Sequence, residues 1–429
     1  MTDATAGTLK RDVTVVSLVS GGHFMSHYFS TILPPLFPFL HSELGVSYTL
    51  LGLMLSARNL TSGTMTLPAG ILVDKYGAKA LLILGFGILI ACYFLFSIAT
   101  SFWLMVVAIM IAGIGNAVFH PADYSILNGT IHESRIGRSF SAHTFCGNIG
   151  DSLAPVVILT TATIWNWRVG VLASCIVGVA ILIGMVTQWK RIEEATPKPK
   201  EEKLDSTDVA TTDDAIAAAE ADISTWDAVK QVILSPAMLF LFLFFALQQL
   251  GSGGFRTFAV AGLVTLHETP VAIAGAALTG FLFASAFGVL AGGFVADKHN
   301  RHDLVAGGAL LLTAVIAVII GSFDLNTVML VAVFSLAGWI QGIIRPARDM
   351  MIRTASPKGS IGKAFGFVFS GQAIGGTIAP VVYGFLIDIG SPAWVFYSSA
   401  VFMVACMFAV LGSAREARKS ERLAAESST

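Results

Sequence analysis

Hydrophobic residues occur along the chain in long blocks that are separated by short polar stretches. An α-helix needs about 20 mostly apolar residues to cross the hydrocarbon core of a bilayer. Twelve blocks are that long, so the pattern predicts twelve membrane-spanning helices, numbered here as spans 1 to 12. The predicted spans are residues 13–39, 48–73, 80–100, 102–128, 139–162, 168–189, 236–265, 271–296, 303–322, 327–352, 362–388 and 392–413.

The composition also indicates a membrane protein. Of the 429 residues, 55% are hydrophobic and 12% are charged, whereas soluble domains average about 25% charged residues. The net charge of −1 gives no basic surface of the kind that binds nucleic acid. The four cysteines are scattered through apolar spans, so we interpret them as packing residues rather than metal ligands or disulfide partners. We predict neither a metal ion nor a cofactor.

Basic residues indicate the orientation of the spans, because cytoplasmic loops carry an excess of Lys and Arg. With both termini in the cytoplasm, 21 of the 26 Lys and Arg residues fall in cytoplasmic loops or tails. Arg168 lies in an outer loop, and Arg58, Arg256, Arg345 and Arg348 lie inside spans. The polar start of the chain does not have the pattern of a cleavable signal. Together with the short loops, this predicts a multi-pass protein of a bacterial inner membrane.

The two halves of the chain repeat each other. GILVDKYGAK at residues 70–79 and GFVADKHNR at residues 293–301 share a Gly-x-x-x-Asp-Lys pattern. A constant displacement of 225 residues relates spans 4 and 5 to spans 10 and 11. The matched residues include Gly113 and Gly338, Pro121 and Pro346, Gly137 and Gly362, and Gly150 and Gly375. Such a duplication predicts two six-helix bundles related by an axis along the membrane normal, with a substrate site between them near the midplane.

A charged, proline-containing stretch separates the two copies. KRIEEATPKPKEEKLDSTD begins at position 190 and has no apolar periodicity, which is typical of a solvated linker. The chain is therefore divided into an N-terminal bundle (1–189), a cytoplasmic linker (190–235), a C-terminal bundle (236–414) and a cytoplasmic tail (415–429).

GILVDKYGAK resembles the loop signature that the major facilitator superfamily carries between spans 2 and 3. The resemblance implies an all-α integral membrane fold of two pseudo-symmetric six-helix bundles. It also implies a functional monomer that works by alternating access in a lipid bilayer, and a transporter rather than an enzyme. The matching positions are Gly70, Asp74, Lys75, Gly77 and Lys79 in the first half, and Gly293, Asp297 and Lys298 in the second.

Three stretches of the first half resemble the fosmidomycin-resistance group of exporters within that superfamily. They are SHYFSTILPPLFPFL, VFHPADYSILN and CGNIGDSLAP. This resemblance implies proton-coupled antiport, that is, export. RPARDMMIR in span 10 departs from the pattern of the group, so the substrate does not follow from it. Residue chemistry alone equally allows proton-coupled uptake of a carboxylate, and a sensor that binds a ligand without moving it is a further alternative.

The resemblance to the major facilitator superfamily implies that Gly70, Asp74, Lys75 and Asp297 take part in gating. Asp74, at the cytoplasmic end of span 2, can approach the start of span 11 near Gly362, where free backbone N–H groups favour negative charge. This contact would hold the halves together when the pathway is closed on the cytoplasmic side. The alternative is a charged turn that ends the helix and enforces the orientation.

Spans 4 and 10 carry charged residues at matching positions. His120 and Asp123 are three residues apart and therefore share a helix face. The displacement of 225 residues matches them to Arg345 and Arg348 of span 10, which the pseudo-symmetry of the halves places across the central pathway. We predict that Arg348 is a gating residue, whose ion pair with Asp123 forms when the cytoplasmic side closes. In the alternative, Arg345 pairs with Asp349 of its own helix and Arg348 extends to the cytoplasm.

Two further arginines lie far from either membrane surface, where an unpaired charge is costly. Arg58 in span 2 either pairs with Asp151 of span 5 or binds an anion. Arg256 in span 7 has no obvious acidic partner at its depth, and the glycines of GSGGFR let the backbone bend next to it. We therefore predict that Arg256 binds substrate, with Arg58, His120 and Arg345 as further substrate-binding candidates.

Histidine and aspartate residues are candidates for proton coupling, because an imidazole titrates near physiological pH and burial favours the protonated form of a carboxylate. His23 and His27 share one face of span 1. We predict that His23 faces the pathway and contacts both substrate and protons. For His27 and His143, hydrogen bonding between helices is the more typical role. Asp123 and Asp151 are the other proton-coupling candidates.

The charges inside the spans constrain the substrate. Four arginines against three aspartates leave a formal excess of +1 before histidine protonation. This excess favours a small organic anion or a zwitterion with a phosphonate, carboxylate or hydroxamate group over a cation. The sequence therefore predicts a proton-coupled antiporter that exports such a molecule, with the substrate, protons and the lipid bilayer as its partners.

Overall fold

The structure is a computed structural model that describes residues 3–188, 190, 225–299, 301–357 and 360–427. This part of the chain is built of helices and contains no strand. Its helices are α1 (Asp3–Thr31), α2 (Leu33–Leu44), α3 (Tyr48–Tyr76), α4 (Ala78–Ile98), α5 (Phe102–Ala117), α6 (Phe119–Thr130), α7 (Glu133–Ile164), α8 (Trp167–Thr187), α9 (Thr225–Leu234), α10 (Pro236–Arg256), α11 (Ala259–His267), α12 (Val271–Lys298), α13 (His302–Ser322), α14 (Thr327–Ala355), α15 (Ile361–Asp388) and α16 (Trp394–Ser427). Most of the predicted linker, residues 191–224, lies outside the described residues.

Three predicted spans consist of two helices each. Span 1 is interrupted at Ile32 between α1 and α2, span 4 at Val118 between α5 and α6, and span 7 at Thr257 between α10 and α11. In span 4 the ring nitrogen of Pro121 carries no hydrogen, so it cannot bond the carbonyl group four residues earlier. In span 1 the break is followed at once by Leu-Pro-Pro, and the prolines lie in the first turn of α2, where a missing N–H costs nothing.

Among the described residues, ten helical segments are long and apolar enough to cross a membrane by length and composition, and they correspond to spans 3 to 12. The first two spans are less apolar, although α1 and α3 are each 29 residues long. Their polar content comes from residues such as His23, His27 and Arg58. These side chains lie inside the protein. Spans 1 and 2 therefore belong to the same two-bundle fold, although they are less apolar than the other spans.

The final helix is longer than the sequence predicts. We expected span 12 to end near residue 413, but α16 continues to Ser427 through most of the predicted tail. The extension, AREARKSERLAAES, is rich in Ala, Arg and Glu, which are strong helix formers. The tail is therefore a continuation of the last span.

Within each half, neighbouring helices pack closely. In the N-terminal half α1 packs on α7, and α5 packs on α3 and α4; in the C-terminal half α12 packs on α14, and α10 packs on α15 and α16. Helices α12 and α14 lie close together, because a Cβ atom at Gly288 or Gly338 would collide with the backbone of the facing helix. Small residues allow such close approach between membrane helices.

The two halves touch along α3 and α15, α7 and α12, and α2 and α11. We call the side of the protein with both chain termini the terminal face, and the opposite side the far face. From the far face to the middle, α3 and α15 are in contact: Asn59 Nδ2 donates to the Gly376 carbonyl at 2.9 Å, and Gly63 faces Ala373. Nearer the terminal face, Gly362 and Gly366 of α15 have open space on the side where a Cβ atom would point. The space between the halves therefore opens toward the terminal face.

A carboxylate joins the two halves at the far face. Asp388, the last residue of α15, accepts hydrogen bonds from the backbone N–H groups of Tyr48 at 2.9 Å and Thr49 at 2.7 Å, and from the Thr49 hydroxyl. These N–H groups belong to the first turn of α3, where they have no partner within the helix. We call this contact between the halves the Asp388 latch. The latch was not predicted from the sequence, because the expected contact of span 11 with the other half lies at the start of this span and not at its end.

A second ionic contact on the far face lies within the N-terminal half and outside the membrane spans. Glu43 of α2 accepts hydrogen bonds from Arg168 Nη2 at 2.8 Å and from Trp167 Nε1 at 2.5 Å. Partial burial raises the pKa of Glu43, but the bonds from Arg168 and Trp167 lower it by more, so the pKa lies below its ordinary value. Arg168, the basic residue predicted in an outer loop, thus joins α8 to the end of α2.

Candidate functional site

The space between the halves contains two adjoining cavities of about 440 and 300 Å³. Both halves contribute to the walls of each cavity. The two cavities share the side chains of His27, Asn59, Asp151, Arg256 and Thr257. We treat them as one central cavity. Its volume is typical of sites for small molecules.

Asp151 and Arg256 connect the two halves inside this cavity. Arg256, the last residue of α10, places Nη2 3.7 Å from Asp151 Oδ2 of α7. The same carboxylate is held by His27 Nδ1 at 3.1 Å and by the Thr31 hydroxyl at 2.6 Å. The expectation that Arg256 lacks an acidic partner at its depth was wrong. The break between α10 and α11 directs this arginine across the cavity toward the other half.

Arg58 does not pair with Asp151 in this structure. Its side chain is buried and donates to the hydroxyl of Ser30 and to Asn59 Oδ1 at 3.4 Å. Arg58 lines the smaller cavity, so it is placed to reach a bound molecule there. The structural alternative for Arg58, an ion pair within the N-terminal half, is not observed.

Two more arginines reach the larger cavity from α14. Arg348 Nε donates to Asp349 Oδ1 at 3.0 Å, and its guanidinium lies over the ring of Phe245 at 4.6 Å. Arg345, one turn earlier, also lines the cavity and forms no ion pair with any residue that the structure describes. The alternative in which Arg345 takes Asp349 is therefore not observed. Arg345 is left available for an anionic ligand.

Asp123 lies outside the cavity wall, in a buried cluster of the N-terminal half. Its Oδ2 is 3.2 Å from His23 Nδ1 and 3.5 Å from His143 Nε2, and the rings of these histidines stack at 3.9 Å. All three side chains are 5% exposed or less, and neither oxygen of Asp123 has a hydrogen bond of good geometry. In this conformation, open toward the terminal face, the predicted pair of Asp123 with Arg348 is not formed. The three ligand atoms lie within 4.8 Å of one another, close enough to hold a small cation as well as a proton.

The histidines connect this cluster to the cavity. The ring of His23 lies 4.5 Å from that of His27 and 5.3 Å from that of His120. His27 in turn contacts Asp151. A continuous row of titratable side chains therefore runs from Asp123 to the cavity wall. His143 also belongs to the cluster, and it lies about two helical turns before Asp151 on α7.

Uncharged amides form a large part of the cavity wall, and the sequence analysis missed them. They lie on both halves, but mostly on the C-terminal one. Only ionisable residues were considered as candidates, because an amide in an apolar helix gives a weaker signal. The seven amides are Asn59, Asn116, Asn148, Gln248, Gln249, Gln341 and Gln372.

The gating residues predicted from the loop signature lie away from the cavity, whereas Arg348 lines it. Asp74 and Lys75 are exposed in the last turn of α3, Gly70 lies one turn before them, and Asp297 is exposed near the end of α12. Gly362, the expected neighbour of Asp74, has open space around it. A gate that closes the terminal face is necessarily separated in this open conformation, so the gating roles stay predictions.

The model of the Major Facilitator Superfamily matches residues 19–266 and 241–428. The chain belongs to this superfamily, and its fold of two six-helix bundles follows that of the family. The expectations of a multi-pass membrane protein and of a transporter rather than an enzyme are confirmed.

Two curated relatives are similar over most of their length. The fosmidomycin resistance protein of Escherichia coli (strain K12) is 24% identical over 395 residues, which is 90% of this chain and 89% of the relative. The membrane sensor protein UhpC of the same strain is 23% identical over 345 residues, or 77% of this chain and 75% of the relative.

Among solved structures, a bacterial homolog of the human lysosomal transporter Spinster, in an inward-facing and unoccupied conformation, has a TM-score of 0.73 at 16% identity. The match covers 96% of this chain and 97% of that one. This likeness concerns the fold.

Proposed function

We propose that this protein is a proton-coupled antiporter that exports a small organic anion or zwitterion by alternating access. The observation that carries the proposal is the Asp151–Arg256 pair. It joins the two halves at the central cavity and places a titratable group against a fixed positive charge. The similarity to a fosmidomycin resistance protein supports export. We also propose that the protein works as a monomer in an inner membrane, with both termini in the cytoplasm.

The pair provides coupling, because Arg256 cannot hold Asp151 and a substrate anion equally well at the same time. Protonation of Asp151 removes its charge and releases Arg256. A zwitterion presents an anionic group to Arg256 or Arg345 and a cationic group to Asp151. The cationic group competes with the proton for Asp151, and competition for one site produces exchange of proton for substrate. His27, Thr31 and Arg256 are the groups that contact Asp151.

Behind this pair, we propose that His23 and Asp123 also take part in proton coupling. They connect to Asp151 through His27, so a proton that leaves the cavity wall has a buried path into the N-terminal half. His120 and Arg58 line the smaller cavity and are proposed to contact the substrate there.

The same pair favours a second candidate function, which is uptake of an anion together with protons. An anion that binds Arg256 in place of Asp151 frees this carboxylate, which then gains a proton. Substrate and proton bind together in that case, which produces co-transport. The sign of the coupling therefore depends on whether the substrate occupies Asp151 or replaces it on Arg256.

The test is proton movement in inside-out vesicles that hold a preformed pH gradient. Phosphonates, carboxylates and hydroxamates are added one by one, with cationic dyes as controls. We expect an anion or zwitterion to collapse the gradient in wild type and in Arg353→Ala, an exposed arginine of α14. The collapse is lost in Arg256→Ala.

The outcomes separate the alternatives. A response confined to right-side-out vesicles, with proton uptake, establishes the second candidate and rules out export. Saturable binding without flux of any bound compound across a sealed membrane indicates a sensor and contradicts both transport proposals.

A further inference from the structure

Four glutamines of the C-terminal half line the cavity without using their side chains inside the protein. Gln248, Gln249, Gln341 and Gln372 form no side-chain hydrogen bond with any residue that the structure describes. Gln341 is 8% exposed, and its Nε2 is fully buried without a partner. An unpaired buried amide is destabilising, because nothing replaces the hydrogen bonds that it made with water. Such residues are costly unless a ligand or water completes their hydrogen bonds.

An amide has a donor and an acceptor on one flat group, and a hydroxyl group is also donor and acceptor. Several amides around one cavity therefore match a ligand with several hydroxyl groups. A lipophilic drug would leave the amides unpaired, and sites built for hydrogen bonding reject ligands that lack the matching group. The phenylalanine rings of the wall, Phe119, Phe281 and Phe369, are too few to form an apolar pocket.

Arg345 supplies the charge for the anionic group of the same ligand. It lies one helical turn from Gln341 on α14, so both side chains point to the same side of the cavity. Its guanidinium can donate two parallel hydrogen bonds to a carboxylate or to a phosphorus oxyacid. Arg348 is occupied by Asp349 and Phe245, and Arg256 by Asp151, whereas Arg345 has no such competitor.

We infer that the substrate is a small polyhydroxylated acid, with its anionic group on Arg345 and its hydroxyl groups on the glutamines of the C-terminal half. This inference rests on the proposed transport function and narrows its substrate class. A carboxylate and a phosphate ester present the same oxygens to Arg345, so both belong to the inferred class.

The experiment measures binding to the purified full chain by thermal shift and calorimetry. The panel contains hydroxylated acids of three to eight carbons, including gluconate and 6-phosphogluconate, which separate the two anionic groups. Hexanoate has the charge without the hydroxyl groups, and glucose has hydroxyl groups without the charge. We expect at least one hydroxylated acid to bind about tenfold or more tightly than both hexanoate and glucose.

Variants assign the two parts of the site. Gln341→Leu reduces the preference for the hydroxylated acid over hexanoate, and Arg345→Gln weakens the binding of every acid. Gln231→Leu, at an exposed position of α9, is the matched control and retains wild-type binding. Equal binding of hexanoate, tighter binding of lipophilic drugs, or no binding of any hydroxylated acid overturns the inference.

Binding and transport fail separately. If the hydroxylated acid binds, but neither the acid nor protons cross the membrane of sealed vesicles, the inferred substrate class stands and the transport proposal fails. If vesicles move protons in response to hexanoate as readily as to the hydroxylated acid, transport stands and the substrate class fails.

Discussion

The two halves of this protein line one cavity with different chemistry. The N-terminal half contributes side chains that gain and lose protons, with His27 and Asp151 at the wall and Asp123 behind them. The C-terminal half contributes arginines, which stay charged, and glutamines, which never ionise. The halves are copies of one unit: Arg345 occupies the position of His120, and Arg348 that of Asp123. Duplication preserved the glycine and proline framework, while the polar positions diverged into a side of titratable groups and a side of arginines and glutamines.

The strongest test of this division is at the point where the two sides meet. Asp151→Asn keeps the shape of the side chain but removes its charge, and we expect coupled proton movement to fall by about a hundredfold or more, as for the loss of a buried ionic partner. Exchange of labelled substrate for unlabelled substrate across the membrane should continue, because the C-terminal wall is unchanged. Asp324→Asn, in an exposed loop, serves as the control. If substrate exchange is lost together with proton movement, the two functions are not divided between the halves.

A second test concerns the buried cluster of the N-terminal half. Asp123→Asn removes a carboxylate whose oxygens lack well-formed hydrogen bonds, so we expect an unfolding free energy that is unchanged or higher by about 1–3 kcal/mol. We expect proton-coupled transport to fall by about tenfold. This is less than the typical loss of rate when a group that transfers a proton is removed. Thermal unfolding in detergent and vesicle flux measure the two quantities. A variant that is less stable and transports normally would assign Asp123 to packing alone.

The Asp388 latch belongs equally to both halves and should affect conformation rather than chemistry. Asp388→Asn retains one acceptor oxygen but loses the charge that faces the start of α3. We expect the population with an open far face to increase by about tenfold or more, since a hydrogen bond to a charged group contributes about 1.5–3 kcal/mol. Spin labels at Ser101 and Thr327, both exposed on the far face, report this opening as a longer distance.

Asp74→Asn provides the opposite comparison, because Asp74 lies at the other end of α3. We expect it to increase the population with an open terminal face, which shortens the distance between the far-face labels. If both variants move the distances in the same direction, the two aspartates do not act on opposite faces.

The smallest effect is expected at Glu43, outside both sides of the cavity. Its pKa is lowered in the folded protein, so the pair with Arg168 contributes stability above the ordinary pKa of a glutamate. That contribution is lost as the pH falls through the folded pKa. Because the pair is partly exposed, we expect the difference to stay below about 1 kcal/mol. Thermal unfolding of wild type and Glu43→Gln between pH 7 and pH 3 measures it. A difference that grows as the pH falls would contradict this sign.

The fold could be predicted from the sequence because each of its determinants is local. A run of apolar residues specifies a span, and the repeated Gly-x-x-x-Asp-Lys pattern reveals the duplication without any three-dimensional information. The same reasoning placed Arg256 and Arg345 at a central pathway, and both line the cavity. It also recognised that the glycines before Arg256 allow a helix break.

The partners of the charged residues could not be predicted in the same way. Asp151 was assigned to Arg58 or to protons, but the carboxylate reaches Arg256 of the other half. Depth along a helix does not reveal which face of a bundle a side chain occupies. The expected pair of Asp123 with Arg348 depends in addition on the conformation, and this conformation is open on the terminal face.

The Asp388 latch has a consequence for how such proteins diverge. Two of its three donors are backbone N–H groups of Tyr48 and Thr49, which every amino acid except proline supplies. Substitutions at these two positions can accumulate while the contact persists, and only the acid itself is constrained. In an alignment of relatives, position 388 would therefore be invariant, while positions 48 and 49 would vary freely. Covariation between these positions would not reveal that they are in contact.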